Sequence, residues 1–221
     1  MSEGAGKVLV CCALAMEARA IRRGVKGSSL GVPAALVVGI RAVRLKQSAI
    51  GDFKCIIMAG LGGGLDPDLK IGDVVIDDAA GLISEACEEN LSAAVNWRRG
   101  KIHTVDTIVA TPAEKAELFL RTRAAAVDIE NAVVRAMAEK AGVAFLGIRA
   151  ISDTANQSIS PKVMGMVDEV GRPKILEVGQ ALLRKPGLIG ELMRLGEQSK
   201  RAGAAMGKAV RIVVNELDLQ Q

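Results

Sequence analysis

The chain has no tyrosine, one tryptophan (Trp97) and three phenylalanines. Its core must therefore be built from Ala, Val, Ile, Leu and Met, in a sequence that is half hydrophobic. The same shortage argues against a binder of single-stranded nucleic acid, which uses aromatic platforms for base stacking. Histidine occurs once, at His103. That restricts Ser-His-Asp chemistry to this one residue and removes most zinc sites. The four cysteines, Cys11, Cys12, Cys55 and Cys87, show no C-x-x-C spacing. Cys11 and Cys12 are adjacent in a strand-like run, so they point to opposite faces and cannot share a metal. Reduced thiols in a cytoplasmic protein are expected, with no metal and no cofactor.

No long polar or Pro/Ser-rich linker interrupts the sequence. Its 221 residues are enough for one sizeable core. We read residues 1–221 as a single domain. The formal charge is +4, and it is unevenly placed. Between Arg184 and Arg211 there are seven Lys/Arg against two acids. Such a face either meets an anionic partner such as a membrane surface or is simply solvated. The start, "KVLVCCALAMEARA", has the lysine, apolar run and A-x-A ending of a secretory leader. Glu3, Glu17 and Arg19 speak against that reading, and the run Val8–Met16 is too short to span a bilayer.

Several short runs are apolar on both faces: residues 7–14, 33–40, 54–60, 73–79, 124–130 and 143–153. Helical patterns separate several of them. "AMEARAIRRG" follows the first. "TPAEKAELFLRTR" opens with a capping box from Thr111 to Glu114 and has Pro112 at its first helical position. "ENAVVRAMAEKAG" ends on Gly142. Residues 174–217 read as two helices divided at Pro186-Gly187. Buried strands alternating with helices imply an α/β fold with a largely parallel central sheet.

In such sheets, ligands bind beyond the carboxyl ends of the strands. The first run ends just before Glu17, the third in "GLGGGL", the fifth at Glu130 and the sixth at Asp153. Three carboxylates and a glycine-rich loop are thus expected on one rim. Each has a plainer reading. Glu17 and Glu130 suit the first turn of a helix, and Asp153 suits a cap of the turn "SDTAN". The segment 59–73 fails both nucleotide fingerprints, because Leu65 breaks G-x-G-x-x-G and no Gly-Lys-Ser/Thr is present. What remains is a backbone at Gly60, Gly62, Gly63 and Gly64 that a phosphate or sugar could approach closely.

"GLGGGLDPDLKIGDVVI", "VDIENAVVRAMAEKAGVAFLGIRAISDTAN" and the early "AMEA" together resemble the purine nucleoside phosphorylase/nucleosidase superfamily. Methylthioadenosine/S-adenosylhomocysteine nucleosidases belong to it. "VATPAEKAEL" and "ALLRKPGLIGELMRLGEQSKRA" look most like its hopanoid-associated branch, which is linked to removing adenine from adenosylhopane. The resemblance implies a three-layer fold, a central mixed sheet flanked by helices, and a homo-oligomer. It also implies a small-molecule nucleoside substrate and no nucleic-acid partner. Its site would comprise Asp153 and Glu17 as catalytic residues. Gly60, Leu61, Gly62, Gly63, Ile108, Ile129, Glu130, Arg149 and Ser152 would hold substrate. Two departures stand out. Leu61 occupies the place of the phosphate-holding Ser or Thr of phosphorolytic members. Ile108 stands near the place of the aromatic that stacks on the base. The stretch from Gly81 to Lys101 is also short beside these enzymes.

Breaking an N-glycosidic bond creates a cationic sugar and a departing purine anion. A protonated Asp153 would donate to purine N7, a role that requires the carboxyl to keep its proton, as burial favours. Glu130 would accept ribose hydroxyls and stabilise the cation, and Glu17 would act as general base on water. Arg149, Ile151 and Asp153 share one face of their strand by alternation, so Arg149 either pairs with a rim carboxylate or reaches solvent. The leading expectation is a nucleosidase acting on an adenosine derivative, of which a lipid-linked one met at the inner membrane surface is the finer form. A phosphorylase and a non-catalytic nucleoside-binding relative are the alternatives.

Overall fold

A computed structural model describes residues 7–26, 35–47, 50–159 and 188–219. Eight strands form one mixed sheet: β1 (Lys7–Cys12), β2 (Leu36–Val37), β3 (Phe53–Gly64), β4 (Val74–Asp77), β5 (Trp97–Arg99), β6 (Ile102–Thr104), β7 (Ala126–Asp128) and β8 (Ala144–Asp153). The main path runs β2-β1-β3-β8-β4-β5, with β7 paired to β3 and β6 paired to β7. Strands β2, β1, β3 and β8 are mutually parallel, whereas β4 runs against β8 and β7 against β3.

Among the described residues, five α-helices flank the sheet: α1 (Ala15–Gly24), α2 (Glu85–Ala94), α3 (Pro112–Thr122), α4 (Asn131–Lys140) and α5 (Leu188–Leu219). Helix α1 begins just after β1, and α3 carries the expected capping box from Thr111. One face of the sheet packs on α1, α2 and α5 through residues such as Ile57, Ile148, Ile21, Leu91 and Val210. The other face buries Ile56, Met58 and Phe145 against Val134 and Ala138 of α4. Cys12 lies in the first of these clusters and Cys11 in the second, as strand alternation requires. All four thiols are free and buried, and burial pushes Cys55 up to about 12 and Cys87 to about 11.

The glycine-rich segment differs from expectation. Gly60–Gly64 is not a loop but the continuation of β3, paired to β8 on one side and, at Gly63 and Gly64, to β7 on the other. Apolar pattern alone also missed β5 and β6, because short edge strands carry little periodic signal, and α2, which buries just Cys87 and Leu91. In the tail, residues 188–219 are helical; the other tail helix lies outside the described residues. Among the described residues, no helix is long and apolar enough to cross a membrane.

Helices α1 and α5 meet through small residues. A Cβ added at Gly207 would sit 2.6 Å from the Ala20 carbonyl oxygen and 3.2 Å from the Gly24 Cα. Both neighbours are backbone, which cannot swing aside. Gly207→Ala should therefore cost about 1–3 kcal/mol through overpacking. Thermal unfolding should show it as a Tm lowered by several degrees. An unchanged Tm would show that the two helices separate easily.

Candidate active site

A cleft of about 300 Å³ opens where β1, β3, β7 and β8 end. The structure brings Glu17, Leu61, Gly62, Gly63, Ile108, Ile129, Glu130, Ser152 and Asp153 to its lining. Gly60 and Arg149 are not on that surface. They lie beneath it, where a Cβ at Gly60 would be 3.0 Å from Glu17 Oε1 and 3.2 Å from Arg149 Nη1. The other walls are aliphatic, with Met16, Ile40, Val105, Val109 and Ile159 among them. Ile108 is 43% exposed at the mouth. No residue of the short 81–101 stretch reaches this lining.

Glu17 is tied down at both oxygens. The Leu61 N–H donates to Oε1 at 2.8 Å, and the Leu14 N–H donates to Oε2 at 2.9 Å. The second bond closes the first turn of α1, where the sequence placed this acid; the first reaches across to the glycine-rich strand. Burial raises its pKa, against the pull of these N–H groups and of Arg149. Glu130 sits at the N-cap of α4 and makes no cap bond with its side chain. Its Oε1 accepts the Arg41 N–H at 3.3 Å. Arg41 and Ala42 both have positive φ, near 56° and 53°. Such backbone is unfavourable for side chains with a Cβ and collects at functional sites. Burial pushes Glu130 up to about 7, with the Arg149 charge working the other way.

Arg149 does not reach solvent. It is fully buried and pairs with Asp128, while Glu130 Oε2 lies 3.8 Å from its Nη2. Its Nη1 donates to the carbonyls of Met58 and Ile148, each at 3.0 Å. Burial opposes its charge, but Asp128, Glu130 and Glu17 outweigh that and hold the guanidinium more firmly than usual. Asp128 was not foreseen as a site residue. It also accepts from Thr104 Oγ1 at 2.7 Å and from the Asn131 N–H at 2.8 Å. The D-x-E spacing at a strand end was the available signal, since alternate residues share a face.

Lys115 is the second unforeseen residue. It lies on α3, fully buried, with Nζ 2.5 Å from Asp153 Oδ2. The same ammonium donates to the carbonyls of Thr154 at 2.8 Å and Gln157 at 3.0 Å. Its signal was a lysine on the inward face of an amphipathic helix, one turn before buried Leu118. Ser152 Oγ donates to the other oxygen, Oδ1, at 2.9 Å. Among the described residues, no N–H of residues 154–156 donates to Asp153, so the turn-cap reading is corrected. As it stands, Asp153 accepts at both oxygens, one of them from a cation.

If Lys115 works through Asp153, their effects on turnover must not add. Lys115→Met should lower kcat about tenfold alone, at the lower edge of acid-base effects. In an Asp153→Asn background it should change kcat less than about twofold. Additive losses would give Lys115 a separate role.

Residues 77–172 match the sequence profile of the Phosphorylase superfamily. A DeoD-type purine nucleoside phosphorylase from Caldanaerobacter subterraneus subsp. tengcongensis is 28% identical over 155 residues, which is 60% of this chain and 65% of its own length. The match thus spans less than two thirds of that enzyme. Among solved structures, the Helicobacter pylori 5′-methylthioadenosine/S-adenosylhomocysteine nucleosidase is similar, with TM-score 0.63, 17% identity, and 97% of this chain and 100% of that chain covered. The futalosine hydrolase of Helicobacter pylori aligns with TM-score 0.62 and 17% identity over 95% of this chain and 97% of its own. The Neisseria meningitidis 5′-methylthioadenosine/S-adenosylhomocysteine nucleosidase gives TM-score 0.61 and 20% identity over 95% and 98%. The chain therefore has the nucleoside phosphorylase/nucleosidase fold, and its central 77–172 segment carries the sequence pattern of the Phosphorylase superfamily.

Proposed function

We propose that the protein is a nucleosidase that hydrolyses the N-glycosidic bond of an adenosine derivative and releases adenine. The observation that carries this reading is the place of Glu17. Its carboxylate already takes the Leu61 N–H, at the strand segment where a phosphorolytic relative needs a polar anion holder, and Leu61 brings no hydroxyl. An acid at that spot repels phosphate and suits a water molecule. In the proposed reaction the C1′–N9 bond breaks and its electrons go to the purine. Asp153 passes a proton to N7, Glu130 faces the sugar cation, and Glu17 takes a proton from the water that attacks C1′. Phosphorolysis is the second reading, favoured by the likeness to the DeoD-type enzyme. The test is adenine release from a panel of adenosine derivatives with and without phosphate. Free sugar formed without phosphate supports hydrolysis; a sugar 1-phosphate formed only with phosphate overturns it.

The finer substrate we propose is adenosylhopane or a similar lipid-linked adenosine, met by a cytoplasmic homo-oligomer at the inner membrane surface. Two features support it. The cleft walls beside the carboxylates are aliphatic. Residues 190–201 of α5 include none that is buried, and Met193 there is 65% exposed beside Arg194 and Lys200. Arg184 and Lys185, at the start of the basic run, lie outside the described residues. Salt-sensitive sedimentation with anionic but not neutral vesicles supports the membrane contact. No binding, with fast cleavage of methylthioadenosine, overturns it. A monomer by light scattering at micromolar concentration would remove the oligomer.

The pH profile offers a further check. Glu130 is ionised only above about 7, and its role needs the carboxylate. The kcat/KM should therefore fall toward tenfold per unit as the pH drops below that value. Activity that stays level from neutral into the acid range would free Glu130 of that role.

A further inference from the structure

A second concavity, of about 570 Å³, runs between α1 and α5. Its floor is made of small residues: Ala20, Gly24, Gly203 and Ala204. The Gly24–Gly207 contact draws the two helix backbones together, so the long side chains on either side stand up as walls. Those walls carry Arg19 and Arg23 from α1, and Lys200, Lys208 and Arg211 from α5. Among the described residues, no acid lines the groove. Among the described residues, none of the five makes an ion pair. The whole chain has a net charge of only +4, so its positive excess is concentrated here.

This arrangement works against the helices that carry it. Arg19 and Arg23 are four residues apart and Lys208 and Arg211 three apart, so like charges face each other along each helix. Ordinary helix design would set an acid at one of each pair. A dianion between the walls removes the repulsion and supplies acceptors for the guanidinium forks. A groove of this size also suits a discrete ligand rather than a flat surface. We infer that the α1–α5 groove is a binding site for a phosphate-bearing small molecule, a phosphate ester or polyphosphate. Met16 lines both this groove and the catalytic cleft. Occupancy is therefore felt by the nucleoside, and this kinetic consequence alone rests on the nucleosidase reading.

The test uses the full chain and inorganic pyrophosphate as probe, followed by titration calorimetry at low and physiological salt. Wild type should bind saturably, and more weakly as salt rises. The Arg23→Gln/Lys208→Gln variant, matched to wild type in thermal unfolding, should bind at least ~tenfold more weakly. Pyrophosphate should shift KM for methylthioadenosine in wild type and not in the variant. No saturable heat, or equal heat in both proteins, overturns the site. Binding confined to phosphatidylglycerol vesicles, lost in the variant and without pyrophosphate heat, overturns the small-molecule ligand in favour of a lipid headgroup. A wild type that releases no adenine under any condition ends the nucleosidase reading, while calorimetry still decides the groove.

Discussion

Asp153→Asn should lower turnover of the nucleoside by about 10²–10⁴-fold, the range expected when a positioned acid is removed. The amide is close in shape, so nucleoside binding should survive better than kcat. The asparagine oxygen can still accept from Lys115, while its NH2 takes the place of the oxygen that met the Ser152 hydroxyl and donates to it instead. What it lacks is a transferable proton. A loss in kcat with little change in KM marks an interaction made in the transition state. Near-normal turnover would reduce Asp153 to an anchor for Lys115 at the end of β8.

Arg149→Met should lower stability by about 3–5 kcal/mol, the scale for removing one partner of a buried ion pair. Asp128 would keep its bonds from Thr104 and Asn131 but lose the cation that faces it. Glu17 and Glu130 would lose the charge that opposes their desolvation. Urea unfolding at neutral pH measures the loss. It should shrink as the pH is lowered and the carboxyls take up protons. A variant as stable as wild type at neutral pH would show that these acids are already neutral in the fold.

The alternation of apolar runs and helical patterns was enough to read the layers and the rim. α3 begins at Pro112 and α4 ends at Lys140, close to where the Thr111 capping box and Gly142 put them. The sheet's short edge was not legible. Three-residue strands such as β5 and β6 are held by pairing with β4 and β7 rather than by any pattern of their own. At the site, the acids at strand ends were visible because one carboxylate interrupts an apolar run. Their cations were harder. Arg149 is in the sequence, but nothing in its neighbours says that it runs inward. Lys115 looks like one more charge on a helix until α3 is docked and its ammonium is enclosed. Ion pairs formed across long sequence separations leave no local mark.

The glycines of β3 have a consequence for the history of the fold. A Cβ at Gly62 would lie 3.3 Å from Arg149 Cβ and Cδ, and one at Gly60 would crowd the guanidinium. Arg149 lies across both positions, helped by the Val127 carbonyl at Gly62 and the Glu17 carboxylate at Gly60, each 3.0 Å from the added Cβ. Their emptiness records a neighbour within the chain. An aligned set of relatives should then show positions 60, 62 and 149 changing together. A lineage that keeps the arginine cannot easily regain side chains there, and one that loses it must still clear the Val127 carbonyl and Glu17. The glycine-rich signature is thus inherited jointly with a residue almost ninety positions away.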